Sequence, residues 1–350
     1  MNKLLILNLS IDSKNTSLAF TQDWINSLSK KYDHIDVLTL RLGDEYNVNE
    51  NVTIYYINKK DEKNSKIFQL FKLIKLSSSI VKRNNYSHCF AHMAPLQHLI
   101  IKPFLLRKKV KSTLWFTHSG PRFGLKWIIL LLSSFLANNV VTASNSSFPF
   151  KLKKTKVIGH GIDVKKFYNE RDSFKIERIV ILSRVSRSKN IDETLNNFVK
   201  VDNFTNYSID VVGGTLNEDD KKYLEFLSYK YSKYSNISFL GRVEHSKLPK
   251  LLRNYDVNIN NAEEGFFDKS VLETVSSGLI NLYRSSDFDF MYSSKYVEYL
   301  KFTNQNLFEK INNLKNLNNI EILSEIKSSQ KFVKEHSLEN ISNKLIKVFN

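Results

Sequence analysis

Short runs of β-branched and other apolar residues alternate with longer segments of helical periodicity along the whole chain. Such alternation is typical of parallel sheets whose strands are joined by crossover helices. In the first half, strands are predicted at residues 4–7, 34–39, 53–56, 88–91, 113–117, 139–142 and 156–158. In the second half, they are predicted at residues 178–182, 207–212, 237–240, 257–260 and 280–283. The pattern therefore predicts an α/β protein with two parallel sheets.

The same pattern suggests where one domain ends and the next begins. A polar stretch at residues 164–177 is the best linker candidate. We therefore expect a first domain at residues 1–165 and a second at 166–335, each large enough for its own core. Residues 318–350 have a helical pattern, and we expect residues 336–350 to form a helix that packs back on the first domain. Between the first two strands a helix is predicted by four apolar residues: Phe20, Trp24, Ile25 and Leu28.

The net charge of the chain favours one class of partner, anionic ones, but does not identify a single partner. The chain has 52 Lys and Arg against 35 Asp and Glu, a net charge of +17. So basic a balance favours anionic partners: nucleic acid, an acidic membrane surface or phosphorylated substrates. Nucleic acid is the weakest of these, because the cations are scattered and no nucleic-acid-binding motif is present. The single cysteine, Cys89, allows no internal disulfide, so nothing argues for an oxidising compartment.

No segment of the sequence predicts a membrane span. The apolar run at the amino terminus is too short for a secretory signal. The longest apolar stretch, residues 125–141, is interrupted by Lys126 and falls short of the roughly 18 clean residues that a spanning helix needs. We expect a cytoplasmic protein, with a peripheral position at the inner membrane face as an option. Basic, apolar-rich segments at residues 59–82 and 101–111 either lie on an anionic leaflet or are ordinary solvated helix faces.

The segment that follows the strand at residues 257–260 carries the clearest candidate chemistry. Asp268 is a preferred N-cap residue, and Gly278 stands where a helix would end. A helix that starts just past a strand's carboxyl end directs N–H groups into a crevice, which favours a phosphate group. Glu273, one turn further on, can accept hydrogen bonds from a sugar hydroxyl. A phosphate site beside a sugar-binding carboxylate indicates a nucleotide-sugar site.

Several segments, in order, resemble one enzyme family. They are Trp115-Phe116-Thr117-His118, residues 157–163, Leu182-Ser183-Arg184-Val185 followed by Lys189, and Gly241-Arg242-Val243. Together with the segment around Glu273, they resemble the retaining glycosyltransferases of the GT-B fold, specifically family 4 (glycosyl transferases group 1). The resemblance implies two Rossmann-like, doubly wound parallel-sheet domains that face each other across a cleft.

The resemblance also implies roles for individual residues. Arg184 and Lys189 would bind the donor diphosphate, and His118 would lie at the reacting sugar; these three are the candidate catalytic residues. No metal or other cofactor is expected, because the two cations and the helix terminus would neutralise the leaving group. Retention at the anomeric carbon is implied as well. The candidate donor-binding residues are Arg184, Lys189, Val243, Gly265, Phe266, Phe267, Asp268, Lys269, Leu272 and Glu273.

One position departs from the common family pattern. Many members carry a glutamate eight residues before the helix glutamate, where this chain has Gly265, and Glu264 is out of register by one. A subset of the family instead has Gly-x-Phe-Asp-Lys before the helix glutamate, and residues 265–269 are similar to that subset. Residues 18–24, 90–93 and 142–144 resemble the same subset. We interpret the missing glutamate as a subset trait, with a degenerate donor site as the alternative.

The function that these residues predict is transfer of a hexose from a nucleotide-diphosphate sugar to a glycan or lipid-linked acceptor, in surface polysaccharide synthesis. The main alternative is a non-catalytic GT-B protein that binds a sugar or a partner. His118 has a simpler interpretation as a core histidine, and His92 and His160 could both be packing residues. The Asp287-Phe288-Asp289 triplet matches a metal-binding signature of other glycosyltransferases, but it lies beyond the donor motifs, so we do not expect it to bind a metal.

Overall fold

The structure is a computed structural model that describes residues 2–14, 18, 20–120, 123–201, 203–303 and 305–350. Ala19, in one of the segments that carry the resemblance, lies outside the described residues. The chain forms two compact units. The first ends at Gly161 and resumes with Leu338–Asn350, and the second spans Ile162–Ser337.

The helices and strands are as follows, in chain order. The strands are β1 (Lys3–Ile11), β2 (His34–Leu42), β3 (Val52–Lys59), β4 (His88–His92), β5 (Lys111–Trp115), β6 (Asn139–Thr142), β7 (Thr155–Val157), β8 (Arg178–Leu182), β9 (Ser208–Val212), β10 (Ile237–Gly241), β11 (Val257–Asn260) and β12 (Ile280–Tyr283). The helices are α1 (Thr21–Ser29), α2 (Lys66–Arg83), α3 (Pro95–Arg107), α4 (Leu125–Leu136), α5 (Val164–Phe167), α6 (Ile191–Phe198), α7 (Glu218–Tyr231), α8 (Leu248–Leu252), α9 (Lys269–Ser276), α10 (Ser294–Leu300), α11 (Leu307–Leu314), α12 (Asn319–Lys334) and α13 (Leu338–Phe349).

The sheet of the first unit is parallel throughout, with the strand order β3-β2-β1-β4-β5-β6-β7. Its interior strand β1 is mostly buried and apolar, as expected where helices cover both faces of a sheet. The last helix, α13, belongs to this unit and contacts α1, where the hydroxyl groups of Ser27 and Ser342 lie 2.8 Å apart. The first unit is therefore a doubly wound sheet closed by the end of the chain.

The second unit repeats the architecture with a smaller parallel sheet, in the order β10-β9-β8-β11-β12. Strand order reverses between β8 and β11. In an open parallel sheet this reversal is where ligands bind, beyond the carboxyl ends of the strands. The two parallel sheets confirm the predicted α/β class.

The predicted linker at residues 164–177 is part of the second unit. Its first residues form the short helix α5, and Phe167 is buried in that unit's core. Arg171 forms an ion pair with Asp256, 3.0 Å away. The polar composition predicted a linker because it gives little weight to the single buried Phe167 and none to the partly buried ion pair of Arg171.

The carboxyl-terminal segment at residues 318–350 is two helices, α12 and α13, and each belongs to a different unit. Across the described parts of the chain, no helix has both the length and the apolar character to cross a membrane.

Candidate functional site

The candidate site lies at the carboxyl edge of the second sheet, where the strand order reverses. β8 ends at Leu182 and β11 ends at Asn260. The loop after β8 carries Arg184 and Lys189, and the loop after β11 leads to Asp268 and α9. The topology therefore brings to one edge two segments that lie far apart in the sequence.

Lys189 and Asp268 form the central contact of this edge. Lys189 Nζ donates to both carboxylate oxygens of Asp268, at 2.6 and 2.7 Å, and the Lys189 side chain is buried. Asn260 Nδ2 donates to Asp268 Oδ2 at 2.9 Å, and Lys189 Nζ lies 5.5 Å from the ring centroid of Phe266. A partly buried, charge-assisted pair of this kind fixes the position of the ammonium group.

The carboxylate of Asp268 does not act as a helix cap. Asp268 occupies the N-cap position of α9, as the sequence predicted, but its side chain makes no capping hydrogen bond. The reason is competition, because hydrogen bonds to an ammonium group are stronger than those to a neutral main-chain N–H. The expectation that Asp268 is primarily a cap is therefore wrong.

Arg184 differs from Lys189 in its surroundings. Its side chain is exposed, and no residue in the described ranges forms a hydrogen bond or ion pair with its guanidinium group. Its backbone is tightly held. Val185 N donates to Gly214 O at 3.0 Å, and a Cβ on Gly213 would lie 1.8 Å from the carbonyl oxygen of Ser183. The structure thus presents a guanidinium group with open donors on a constrained loop.

Glu273 lies on the buried face of α9 and has two basic partners. Its side chain is 3% exposed, His245 Nε2 donates to its Oε1 at 2.9 Å, and Lys269 Nζ lies 3.0 Å from the same oxygen. The ring of Phe167 packs against His245, with centroids 5.3 Å apart. These contacts hold the carboxylate in one orientation.

The two partners decide the ionisation of Glu273. Burial raises the pKa of this carboxyl group, but the charge of Lys269 and the hydrogen bond from His245 outweigh it and lower the pKa to about 2. Glu273 is therefore a carboxylate at neutral pH despite its burial. The resemblance implied a donor-binding role for Lys269, but the sequence did not identify His245. The available signal was a titratable residue two positions after Val243, next to one of the segments that carry the resemblance.

Gly265 has a backbone conformation that explains the absence of a glutamate. Its φ is +88°, a left-handed value that favours glycine. Glu264 does not replace the missing side chain, because it accepts hydrogen bonds from Ser285 Oγ at 3.0 Å and from Ser286 N at 2.6 Å. Burial raises the pKa of Glu264, but these hydrogen bonds outweigh it and leave the pKa lowered.

Three of the predicted donor residues have packed side chains. Phe267 is buried, with its ring centroid 5.1 Å from that of Phe288, and Leu272 is fully buried. Val243 packs against the core cluster that includes Leu248. For Phe267 and Leu272, contact with a ligand is therefore left to the main chain.

The candidate histidines of the first unit fall into two groups. His118 follows the end of β5 and is exposed, with its ring 6.2 Å from that of Phe116. His92 and His160 are buried among aromatic rings that include Trp24 and Trp115. Burial lowers the pKa of His92 to about 4. The simpler interpretation, packing, therefore describes the contacts of His92 and His160.

Both aspartates of the Asp287-Phe288-Asp289 triplet have partners within the second unit. Asp287 Oδ2 accepts from Gly265 N at 3.4 Å, and Asp289 pairs with Lys301 at 2.9 Å. In the described ranges, no three or more His, Cys, Asp or Glu side chains are grouped so that they could hold a metal ion. Metal independence stays a prediction.

Comparison with protein-family models gives one match in the second unit. Residues 165–282 match the family described as glycosyl transferases group 1. This range contains Arg184, Lys189, Asp268 and Glu273. A search of curated proteins finds no match.

Solved structures resemble the chain over nearly its whole length at low identity. The sucrose-phosphate synthase of Thermosynechococcus elongatus superposes with a TM-score of 0.79 at 13% identity, covering 100% of this chain and 98% of that one. A glycosyltransferase from Rickettsia africae gives 0.73 at 13%, covering 99% and 98%. Anabaena Alr3699/HepE, solved with UDP-glucose, gives 0.71 at 13%, covering 99% of each chain. The fold is GT-B, as the sequence predicted.

Proposed function

We propose that this chain is a retaining glycosyltransferase of family 4. It would move a hexose from a nucleotide-diphosphate sugar to a glycan or lipid-linked acceptor in surface polysaccharide synthesis. The observation that carries the proposal is the fixed Lys189–Asp268 pair at the strand reversal, on the same edge as a guanidinium group with open donors. The match to group 1 glycosyl transferases and the UDP-glucose complex of the Anabaena protein support a nucleotide-sugar donor.

The two cations would share the work of stabilising the leaving group. Breaking the glycosidic bond leaves negative charge on the diphosphate, and preplaced positive potential stabilises that charge in the transition state. Arg184 can offer a planar, bidentate contact to phosphate, whereas Lys189 offers a point charge. Because Asp268 already holds Lys189 in place, little reorganisation would be needed when the diphosphate arrives. These groups would act without a metal ion, as the resemblance implies.

Glu273 would hold the ribose of the donor. The carboxylate stays ionised at neutral pH, and both of its basic partners contact Oε1. We assign the other oxygen, Oε2, to the ribose hydroxyls. Phe266, Gly265 and Lys269 would line the same donor site, and His118 would contact the reacting sugar. The acceptor hydroxyl would attack the anomeric carbon from the face that the diphosphate leaves, and the departing phosphate would accept its proton. The new glycosidic bond would then form on the face of the broken one, which accounts for retention.

The experiment that tests the proposal is a thermal-shift panel of UDP, GDP and ADP with their sugars. Binding to the folded chain raises its melting temperature in proportion to the logarithm of ligand concentration. We expect one nucleotide series to stabilise the chain, and Arg184→Ala to remove the shift and the transfer activity. Arg253→Ala, an exposed arginine of the same unit, is the matched control and should change neither. If no nucleotide sugar stabilises the wild-type chain, the proposal fails.

Gly265 and Glu264 favour a second candidate, a non-catalytic GT-B protein that binds a sugar or partner. The glutamate that many family members carry is missing, and the neighbouring carboxylate is bound to Ser285 and Ser286 instead. This candidate predicts a nucleotide-sugar shift without hydrolysis or transfer. Turnover that is lost in Arg184→Ala would exclude it. We expect a metal-independent reaction, so a metal chelator should leave that turnover unchanged.

A further inference from the structure

The net positive charge of the chain arises in one part of the first unit, because that part has cations but no carboxylates. Residues 63–161 contain 17 Lys and Arg and no Asp or Glu, whereas the whole chain has a net charge of +17. In the rest of the chain, 35 Lys and Arg are balanced by 35 Asp and Glu. The net charge is therefore a property of a segment that includes α2, α3 and α4, and not of the surface in general.

Helix α4 has an apolar face that the unit does not cover. Its buried face is formed by Leu130, Ser133 and Ser134. Its other face has apolar residues at helical spacing, and all of them are exposed: Leu125, Ile128, Leu132, Phe135 and Leu136. Leu125 and Phe135 are 72% and 59% exposed. An apolar stripe of this length on the exposed face of a helix is expected where the helix meets a partner or a membrane, and not on a solvated surface.

Helix α2 also has an exposed apolar face, and several exposed cations lie on the same helix. Ile67, Phe71 and Ile74 recur at positions i, i+4 and i+7, and the first two are 70% and 67% exposed. Helix α3 contacts both α2 and α4, so the three helices are adjacent in the unit. The exposed cations on and beside the three helices are Lys63, Lys66, Lys75, Lys82, Arg83, Arg107, Lys108, Lys109 and Lys126.

We propose that the outer faces of α2, α3 and α4, here called the basic apolar face, dock on the surface of an anionic lipid bilayer. Exposed apolar side chains along a helix enter the boundary between headgroups and acyl chains, and flanking cations bind anionic headgroups. Helix α4 is 12 residues long, so it can lie in this interface. The face deepens the proposed function, because a membrane surface is where a lipid-linked acceptor would be met.

The positive charge of the basic apolar face favours an anionic bilayer over a second copy of the chain as its partner. Two such faces would bring like charges together, and residues 63–161 contain no carboxylate to offset them, which opposes self-association. Contiguous apolar patches on the surface of a monomeric protein often mark a binding site. A lipid surface satisfies both the apolar and the cationic parts.

The test is co-sedimentation of the full chain with phosphatidylcholine vesicles, with and without phosphatidylglycerol, at low and high salt. We expect binding that requires the anionic lipid and is weakened by salt. The triple variant I128S/L132S/F135S should bind at least about tenfold more weakly. The matched control L216S/I320S/F332S removes the same three residue types at exposed positions of the second unit, and it should bind as the wild type does.

Other outcomes separate this proposal from the transferase. Absent vesicle binding, binding that ignores lipid charge, or self-association through this face in sedimentation velocity would each overturn the docking proposal. Nucleotide-sugar stabilisation of the same samples reports the donor site independently, so a chain that binds UDP-sugar but no vesicles refutes docking alone. Retained stabilisation by nucleotide sugar in the triple variant, with an unchanged circular dichroism spectrum, shows that the substitutions left the fold intact.

Discussion

At the scale of single residues, Glu273 is the most informative side chain, because burial and charge act on it in opposite directions. We predict that Lys269→Met will destabilise the second unit by up to about 3 kcal/mol at neutral pH. Without the ammonium group, burial dominates and the pKa of Glu273 rises from about 2. Urea unfolding at several pH values measures the effect.

The pH dependence follows from the direction of the shift. The pKa is lowered on folding, so the stability from the Glu273 carboxylate is fully present above about pH 4.5 and is lost as the pH falls toward about 2. The difference between wild type and Lys269→Met should therefore be largest at neutral pH and shrink in acid. Lys247→Met removes an exposed lysine paired with Glu244 and should have little effect at any pH. An equal loss at pH 7 and at pH 3 would contradict the assignment.

At the scale of loops and strands, the close approach at Gly213 holds the Arg184 loop against the end of β9. We predict that Gly213→Ala destabilises the second unit by about 1–3 kcal/mol and abolishes the nucleotide-sugar shift, because the new Cβ would collide with the carbonyl of Ser183. Gly124→Ala is the control. Its φ is also positive, but nothing lies within 4 Å of the new Cβ and it lies outside the donor unit. A folded Gly213→Ala chain with an unchanged shift would show that this loop does not position Arg184.

The sequence predicted the elements of the site better than their contacts. The strand at residues 178–182 and the helix start at Asp268 both agree with the structure, because apolar periodicity and capping preferences are local signals. The Lys189–Asp268 pair could not be predicted from periodicity, since it joins positions 79 residues apart and depends on the adjacency of β8 and β11. Local preference predicted that the Asp268 side chain caps α9. Such a preference takes no account of a cation that the loop after another strand brings to the carboxylate.

At the scale of the whole molecule, charge and candidate chemistry are distributed differently between the two units. The donor motifs belong to the second unit, and the excess of positive charge belongs to the first. The composition alone could not reveal this, because a net charge summed over the chain does not distinguish a basic protein from a neutral one with a basic face. The net charge therefore suggested anionic partners in general, whereas the exposed apolar stripes on α2 and α4 favour a bilayer among them.

The last helix, α13, allows a prediction about the stability of the first unit. Helix α13 buries Ile341, Leu345, Val348 and Phe349 in the first unit, and the Phe349 ring stacks on His88 with centroids 4.2 Å apart. At about 2 kcal/mol for each buried apolar side chain, deleting residues 338–350 removes an amount comparable to the whole stability of a domain.

We therefore expect the truncated chain to lose the calorimetric transition of the first unit and to keep that of the second, which nucleotide sugar identifies by raising it. Leu345→Ala should lower the first transition by an intermediate amount, about 2–5 kcal/mol of unfolding free energy. Lys347→Ala, on the exposed side of the same helix, should leave it unchanged. If the truncated chain keeps both transitions, α13 is dispensable and the core of the first unit is complete without it.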